Sequence, residues 1–211
     1  MGERAFDLSV GVFLDRLAAE TPTPGGGSAA ALAAALAAAL VSMVCRYTLG
    51  RERFQDVHET ISRVLERAEQ LRAELTCDMQ RDIDAYGGYA RAAALPRGTP
   101  EERRARTEAL QAALRASTEV PLDVAARCAE LLRLAAEAAA VGNPNLISDA
   151  AVAAELAEAA RRSAALNVRL NLRGVKDPAF VEACTQHLAE IEQHVDELRD
   201  RVVSIVLERS Q

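Results

Sequence analysis

Pro24-Gly25-Gly26-Gly27-Ser28 leads into an alanine-rich run that reaches Cys45 without a single charged residue. The prolines at 22 and 24 hold the residues before them out of helical geometry, so the glycines stand where a loop gives way to a helix. Alanine has the highest intrinsic helix propensity, and a helix that is apolar all round belongs inside a fold. The stretch therefore predicts a central core helix with a glycine-lined start, capped at its far end near Gly50.

Outward from it, the chain reads as helix after helix. A first helix is expected over about 6–20, with Phe13, Leu14 and Leu17 as its apolar face. Beyond Gly50, apolar residues fall at Phe54, Val57, Ile61, Val64, Ala68, Leu71 and Leu75, a near-heptad stripe that predicts a long helix over about 54–95. Gly87-Gly88 should weaken or kink it. Leu95-Pro96-Arg97-Gly98-Thr99-Pro100 breaks the pattern, and Thr99 with Pro100 and Glu101-Glu102 forms a strong helix start. The next helix should reach Val141 with an interruption at Pro121. A Gly142-Asn143-Pro144-Asn145 turn, a helix over about 146–172 and a last helix over about 177–209 complete the chain. No segment alternates like a strand. The expectation is an all-α fold, one domain over residues 1–211, of about six helices around the alanine-rich one.

With 211 residues, 50% apolar and 3% aromatic, the core must be built from aliphatic side chains and alanine. A net charge of −6 argues against a nucleic-acid partner. Cys45, Cys77, Cys128 and Cys184 form no C-x-x-C pair and read as reduced core residues of a cytoplasmic protein, with no disulfide frame and no zinc site. Charges throughout 1–20 argue against a secretory signal, and the uncharged run 29–45 is short for a membrane span. His58 stands alone, and His187 and His194, seven apart, have no ligating partner, so no metal site is expected.

Three groups could carry chemistry. Continuing the long stripe places Asp78 and Asp82 on the core-facing side. There Asp82 is either a general acid or base, its pKa raised by desolvation, or the partner of an arginine from a neighbouring helix; Asp84 lies off the stripe. The start formed by Gly25, Gly26, Gly27 and Ser28 offers backbone N–H groups to an anion or carbonyl oxygen, or else lets helices cross closely. It lacks the Lys-Ser/Thr ending of a phosphate-binding P-loop. Asn143, Asn145, Ser148 and Asp149 cluster at a helix start, where capping alone would explain them. Asn167 and Asn171, four apart among apolar neighbours, share a half-buried face suited to a core hydrogen-bond network or a nitrogen-rich heterocycle.

Beyond these groups, Asp82-x-Asp84-Ala85-Tyr86, Leu95-Pro96-Arg97-x-Thr99-Pro100-Glu101-Glu102, Val120-Pro121-Leu122, Gly142-Asn143 with Ser148-Asp149, Asn167-Val168-x-Leu170-Asn171-Leu172 and Asp177-x-Ala179-Phe180 follow the glycine motif in order. The set resembles the formimidoyltetrahydrofolate cyclodeaminase / methenyltetrahydrofolate cyclohydrolase family, which includes the C-terminal domain of formiminotransferase-cyclodeaminase. The resemblance implies a homodimeric, all-helical enzyme acting on one-carbon units carried by tetrahydrofolate, with Asp82 as proton acceptor. It also implies a substrate site including Gly25, Gly26, Gly27, Ser28, Asn143, Asp149, Asn167 and Asn171, and no cofactor beyond the folate itself. The substrate tail, mono- or polyglutamate, would meet arginines, for which Arg97, Arg103, Arg104 and Arg106 are candidates. The cyclodeaminase reaction is the leading expectation and the cyclohydrolase its rival, since no formiminotransferase segment lies within these residues. A non-catalytic helical scaffold, with Asp82 ion-paired and no pocket joining it to the glycines, is the reading from another class.

Overall fold

The computed structural model describes residues 4–193 and 195–209, and within them the fold is all-α. Seven α-helices follow in order: α1 Val10–Ala18, α2 Gly26–Leu49, α3 His58–Ala93, α4 Pro100–Val141, α5 Ile147–Leu172, α6 Pro178–Glu192 and α7 Val195–Arg209. Helices α2 to α5 pack as a ring, each against the next and α5 back against α2, while α6 and α7 lie on the α4–α5 side.

The alanine-rich helix is the structural centre. Ala31, Ala34, Ala37, Ala38, Val41, Val44 and Cys45 of α2 are almost completely buried, and small side chains there let α3 and α5 approach closely. At 24 residues the helix is longer than its uncharged run, and by length and composition it is long enough to cross a membrane; most of it is buried inside the bundle. The stripe of α3 packs onto it through Ile61, Val64, Ala68, Leu71 and Leu75.

Several boundaries differ from expectation for identifiable reasons. The segment 52–57 forms a 3-10 turn before α3 begins. Gly87-Gly88 lies inside an unbroken α3, because the propensity cost of a glycine is only about 1 kcal/mol and packing overrides it. Pro121 likewise sits within a continuous α4. It removes one ladder hydrogen bond, the one to the Ser117 carbonyl, without ending the helix. The expected last helix divides at Gln193, whose backbone is extended, and α7 turns back to bury Val195 and Val202. His194 lies outside the described residues. In α1, Phe13 is buried and Leu17 half-buried, but Leu14 faces outward. Of the cysteines, Cys45, Cys128 and Cys184 are buried and Cys77 is exposed. Burial pushes the Cys45 thiol up to about 12 and Cys128 higher still, so both are held as thiols.

The most buried acid is Asp78, 1% exposed, held by Arg81 at 2.7 Å and Arg127 at 3.0 Å. Arg127 also takes Glu74, and Arg67 joins Glu74 to Glu130, so the network ties α3 to α4. Burial pushes the Asp78 carboxyl up against the pull of Arg127 and Arg81. Two neighbours shift the other way: hydrogen bonding by Arg72 lowers Glu69 from 4.5 to about 2, and Arg127 lowers Glu74. A lowered carboxyl stabilises the fold above its unfolded pKa and loses that contribution as pH falls through its folded value. Asp78 has the opposite sign, being relieved by acid. With two lowered groups against one raised, stability should decline once pH falls below 4.5 toward about 2. Urea midpoints between about pH 7 and pH 3 check this, and a flat profile refutes it.

Candidate functional site

Where the glycine start of α2 meets the second half of α3, a cavity of about 450 Å³ opens. Gly25, Gly26 and Gly27 form one wall, with Gly25 as the N-cap of α2. Asp82, Ala85, Tyr86 and Tyr89 come from α3, Ser117 and Pro121 from α4, and Asn167, Leu170 and Asn171 from α5. Four helices thus contribute, and the ring packing of the bundle is what brings them together.

Asp82 is half-buried at the cavity wall, less enclosed than its position on the stripe suggested; the fully buried acid is Asp78, one turn earlier. The Ser28 hydroxyl, itself fully buried, donates to Asp82 Oδ2 at 2.7 Å, with the Met79 carbonyl oxygen 3.3 Å away. Among the described residues no arginine pairs with Asp82: Arg81, beside it in sequence, is spent on Asp78 and Asp123. Gly27 is required by proximity. A Cβ built there would lie 2.0 Å from Asp82 Oδ1, well inside contact distance. The helix start and the carboxylate are therefore pressed together, and only hydrogen at position 27 allows it.

From α5, Asn171 Nδ2 donates to the Ser117 carbonyl at 2.7 Å, while Asn167 lies one turn earlier on the same face. Tyr86 and Tyr89, ring centroids 6.5 Å apart and tilted by 44°, add aromatic surface suited to a flat heterocycle. The cavity lining thus combines a carboxylate with no cationic partner among the described residues, two side-chain amides and two aromatic rings.

Three of the expected substrate-site residues do not line the cavity: Ser28, fully buried, meets it only through Asp82, and Asn143 and Asp149 lie elsewhere. Asn143 is buried in the α4–α5 turn: its N–H donates to Thr48 Oγ1 and its Nδ2 to the Tyr47 carbonyl, while its Oδ1 accepts from Arg53 and from the Asn145 N–H. That is a structural latch from the turn to the end of α2. Asp149, in the first turn of α5, does not line the cavity either. The candidate tail arginines are also placed otherwise. Arg103 donates to the carbonyls of Arg97 and Gly98, Arg106 to that of Ala93, and Arg104 pairs with Glu108; none lines the cavity, nor does Arg97. Asp84 is exposed and accepts from Gln80. His187 is exposed on α6, and among the described residues no cluster of three or more histidine, cysteine or acidic side chains is placed to hold a metal ion. Tyr86, Tyr89 and Ser117 were not singled out from sequence as site residues. The tyrosines had a usable signal, because two of the chain's three lie within one turn of α3 on a chain otherwise poor in aromatics. Ser117 had none.

Comparison with known proteins places the sequence and the fold. The sequence profile of the formiminotransferase-cyclodeaminase family matches residues 9–190. The methenyltetrahydrofolate cyclohydrolase of Methylorubrum extorquens is 42% identical over 198 residues, which are 94% of this chain and 95% of that protein. The formimidoyltransferase-cyclodeaminase of Rattus norvegicus is 37% identical over 89% of this chain but 35% of its own length, so the chain spans about a third of that larger protein. The crystal structure of formiminotetrahydrofolate cyclodeaminase from Thermotoga maritima superimposes with a TM-score of 0.86 at 29% identity, covering 97% of this chain and 98% of that one. The chain belongs to the formiminotransferase-cyclodeaminase family.

Proposed function

We propose that the cavity binds a tetrahydrofolate one-carbon derivative and that the chain hydrolyses its 5,10-methenyl form, with Asp82 as the proton acceptor. The observation that carries the catalytic part is the placement of Asp82: one carboxylate at the cavity wall, oriented by Ser28 and paired with no arginine among the described residues. An ion-paired Asp82 in a closed bundle is what the scaffold reading needs, and the geometry differs on both points. The cyclohydrolase takes precedence over the cyclodeaminase because the relative named for it is 42% identical and matches along 95% of its own length.

In the proposed reaction, water attacks the carbon bridging N5 and N10 as Asp82 takes a proton from it. The tetrahedral carbon then sheds N5, which receives the proton back from Asp82. The hydroxyl proton is released as the carbonyl of the 10-formyl product forms. The balance is methenyl cation plus water giving 10-formyl product plus one proton. A carboxylate beside the cavity also favours the cationic methenyl species electrostatically. This chemistry calls on no metal or redox group beyond the substrate.

The second reading, closure of 5-formiminotetrahydrofolate with loss of ammonia, is favoured by the fold match to the Thermotoga maritima cyclodeaminase over the whole length of both chains. There N10 attacks the formimino carbon, and the same acceptor takes the N10 proton. Loss of methenyl absorbance, measured beside ammonia release from the formimino substrate, separates the two. Methenyl hydrolysis without ammonia is the expected result; ammonia release moves the assignment to the cyclodeaminase, and neither activity overturns both. The proposal takes the protein as cytoplasmic, with no nucleic-acid or membrane partner. It also takes it as a homodimer, for which the outward edge of α2 at Leu36 and Tyr47 offers apolar surface.

A further inference from the structure

A proline in the middle of a 42-residue helix asks what it is for. In α4 the N–H of residue 121 would close the ladder onto the carbonyl of Ser117. Proline has no N–H, so that carbonyl is left without its intrahelical donor. Asn171 Nδ2, from α5, donates to it at 2.7 Å. Ser117, Pro121 and Asn171 all line the cavity that holds Asp82. Because a carbonyl can only accept, the Asn171 amide must turn its NH2 toward α4, and its oxygen remains an acceptor. Ser117 Oγ, on the same wall, is buried without a hydrogen-bond partner.

We infer that Pro121 is a positioning residue: it frees the Ser117 carbonyl to grip Asn171, which fixes the Asn171 amide oxygen as acceptor for an N–H of the substrate's heterocycle. The inference rests on the cavity being the folate site. It gives the proline a role opposite in sign to its effect on the helix, since it weakens the ladder and strengthens the site.

Pro121→Ala restores the ladder donor and draws the Ser117 carbonyl back into the helix. The expected result is a KM for 5,10-methenyltetrahydrofolate raised about tenfold, the scale of one lost hydrogen bond. kcat should stay within about twofold, because the interaction serves ground and transition states alike. The melting temperature should hold or rise, since alanine is the better helix former. A merely structural proline would instead lower stability and kcat together. In an Asn171→Ala background, Pro121→Ala should add nothing further to KM, as for two residues acting through one contact. An unchanged KM in the single variant, or independent effects in the pair, overturns the inference. Should Pro121→Ala fail to fold, Asn171→Asp keeps size and acceptor but loses the donor to Ser117. Its KM should rise about tenfold on the same ground, and an unchanged or lowered KM overturns the inference. A wild-type protein that neither binds nor converts methenyltetrahydrofolate sinks the reading of the site. An active wild type indifferent to Pro121→Ala sinks this inference alone.

Discussion

Asp82→Asn is expected to lower kcat about a thousandfold, in the middle of the range for removing a positioned general base. The exchange is nearly isosteric. Ser28 Oγ, now 2.7 Å from Asp82 Oδ2, can donate equally well to an amide oxygen, so the wall of the cavity should keep its shape. The fold should survive, because no ion pair among the described residues depends on Asp82. What the amide cannot do is accept a proton from water or from N10. Circular dichroism and melting close to wild type, beside the collapse of methenyl turnover, is the result to look for. Retained turnover would remove Asp82 from the reaction. Asp78→Asn is the informative contrast: one turn away, it breaks a buried network with Arg81 and Arg127, so stability should fall while kcat per folded molecule changes far less.

The contrast between these two aspartates also shows what the sequence could and could not convey. Both fall on the stripe of α3, and spacing alone ranks them equally. Tertiary packing separates them: Arg127 of α4 reaches Asp78, whereas the start of α2 reaches Asp82. The all-α architecture was legible because apolar spacing, the Thr99 capping box and the alanine run each carry a local signal. The Pro121 break was misread for the complementary reason. A proline's cost is local, but what offsets it comes from Asn171 on another helix. Asn143 followed the same pattern, since a polar residue beside a helix start reads alike whether it serves a ligand or, as here, latches a turn onto Thr48 and Tyr47. The division near Gln193 had no glycine or proline to announce it.

Gly27→Ala should separate stability from activity as well, by displacing the carboxylate rather than by neutralising it. Position 27 lies in the first turn of α2, where alanine is about 1 kcal/mol better than glycine by helix propensity, so the fold should not suffer. The added methyl, however, would stand 2.0 Å from Asp82 Oδ1 and 2.6 Å from its Cγ. The atoms in the way belong to the end of one short side chain, so the relief is for the carboxylate to swing aside and lengthen its contact with Ser28. A displacement on the order of 1 Å at a reacting group costs about a hundredfold in rate. The expected outcome is a kcat about a hundredfold down with a melting temperature at or above wild type. Gly26→Ala sets the scale, because a Cβ there meets nothing within 4 Å. The loss at position 27 should exceed the loss at 26 by at least about tenfold if misplacement of Asp82 is the cause. Equal losses at the two positions would mean that the glycines act by contact with the substrate, and that the close approach of Asp82 to α2 is incidental to catalysis.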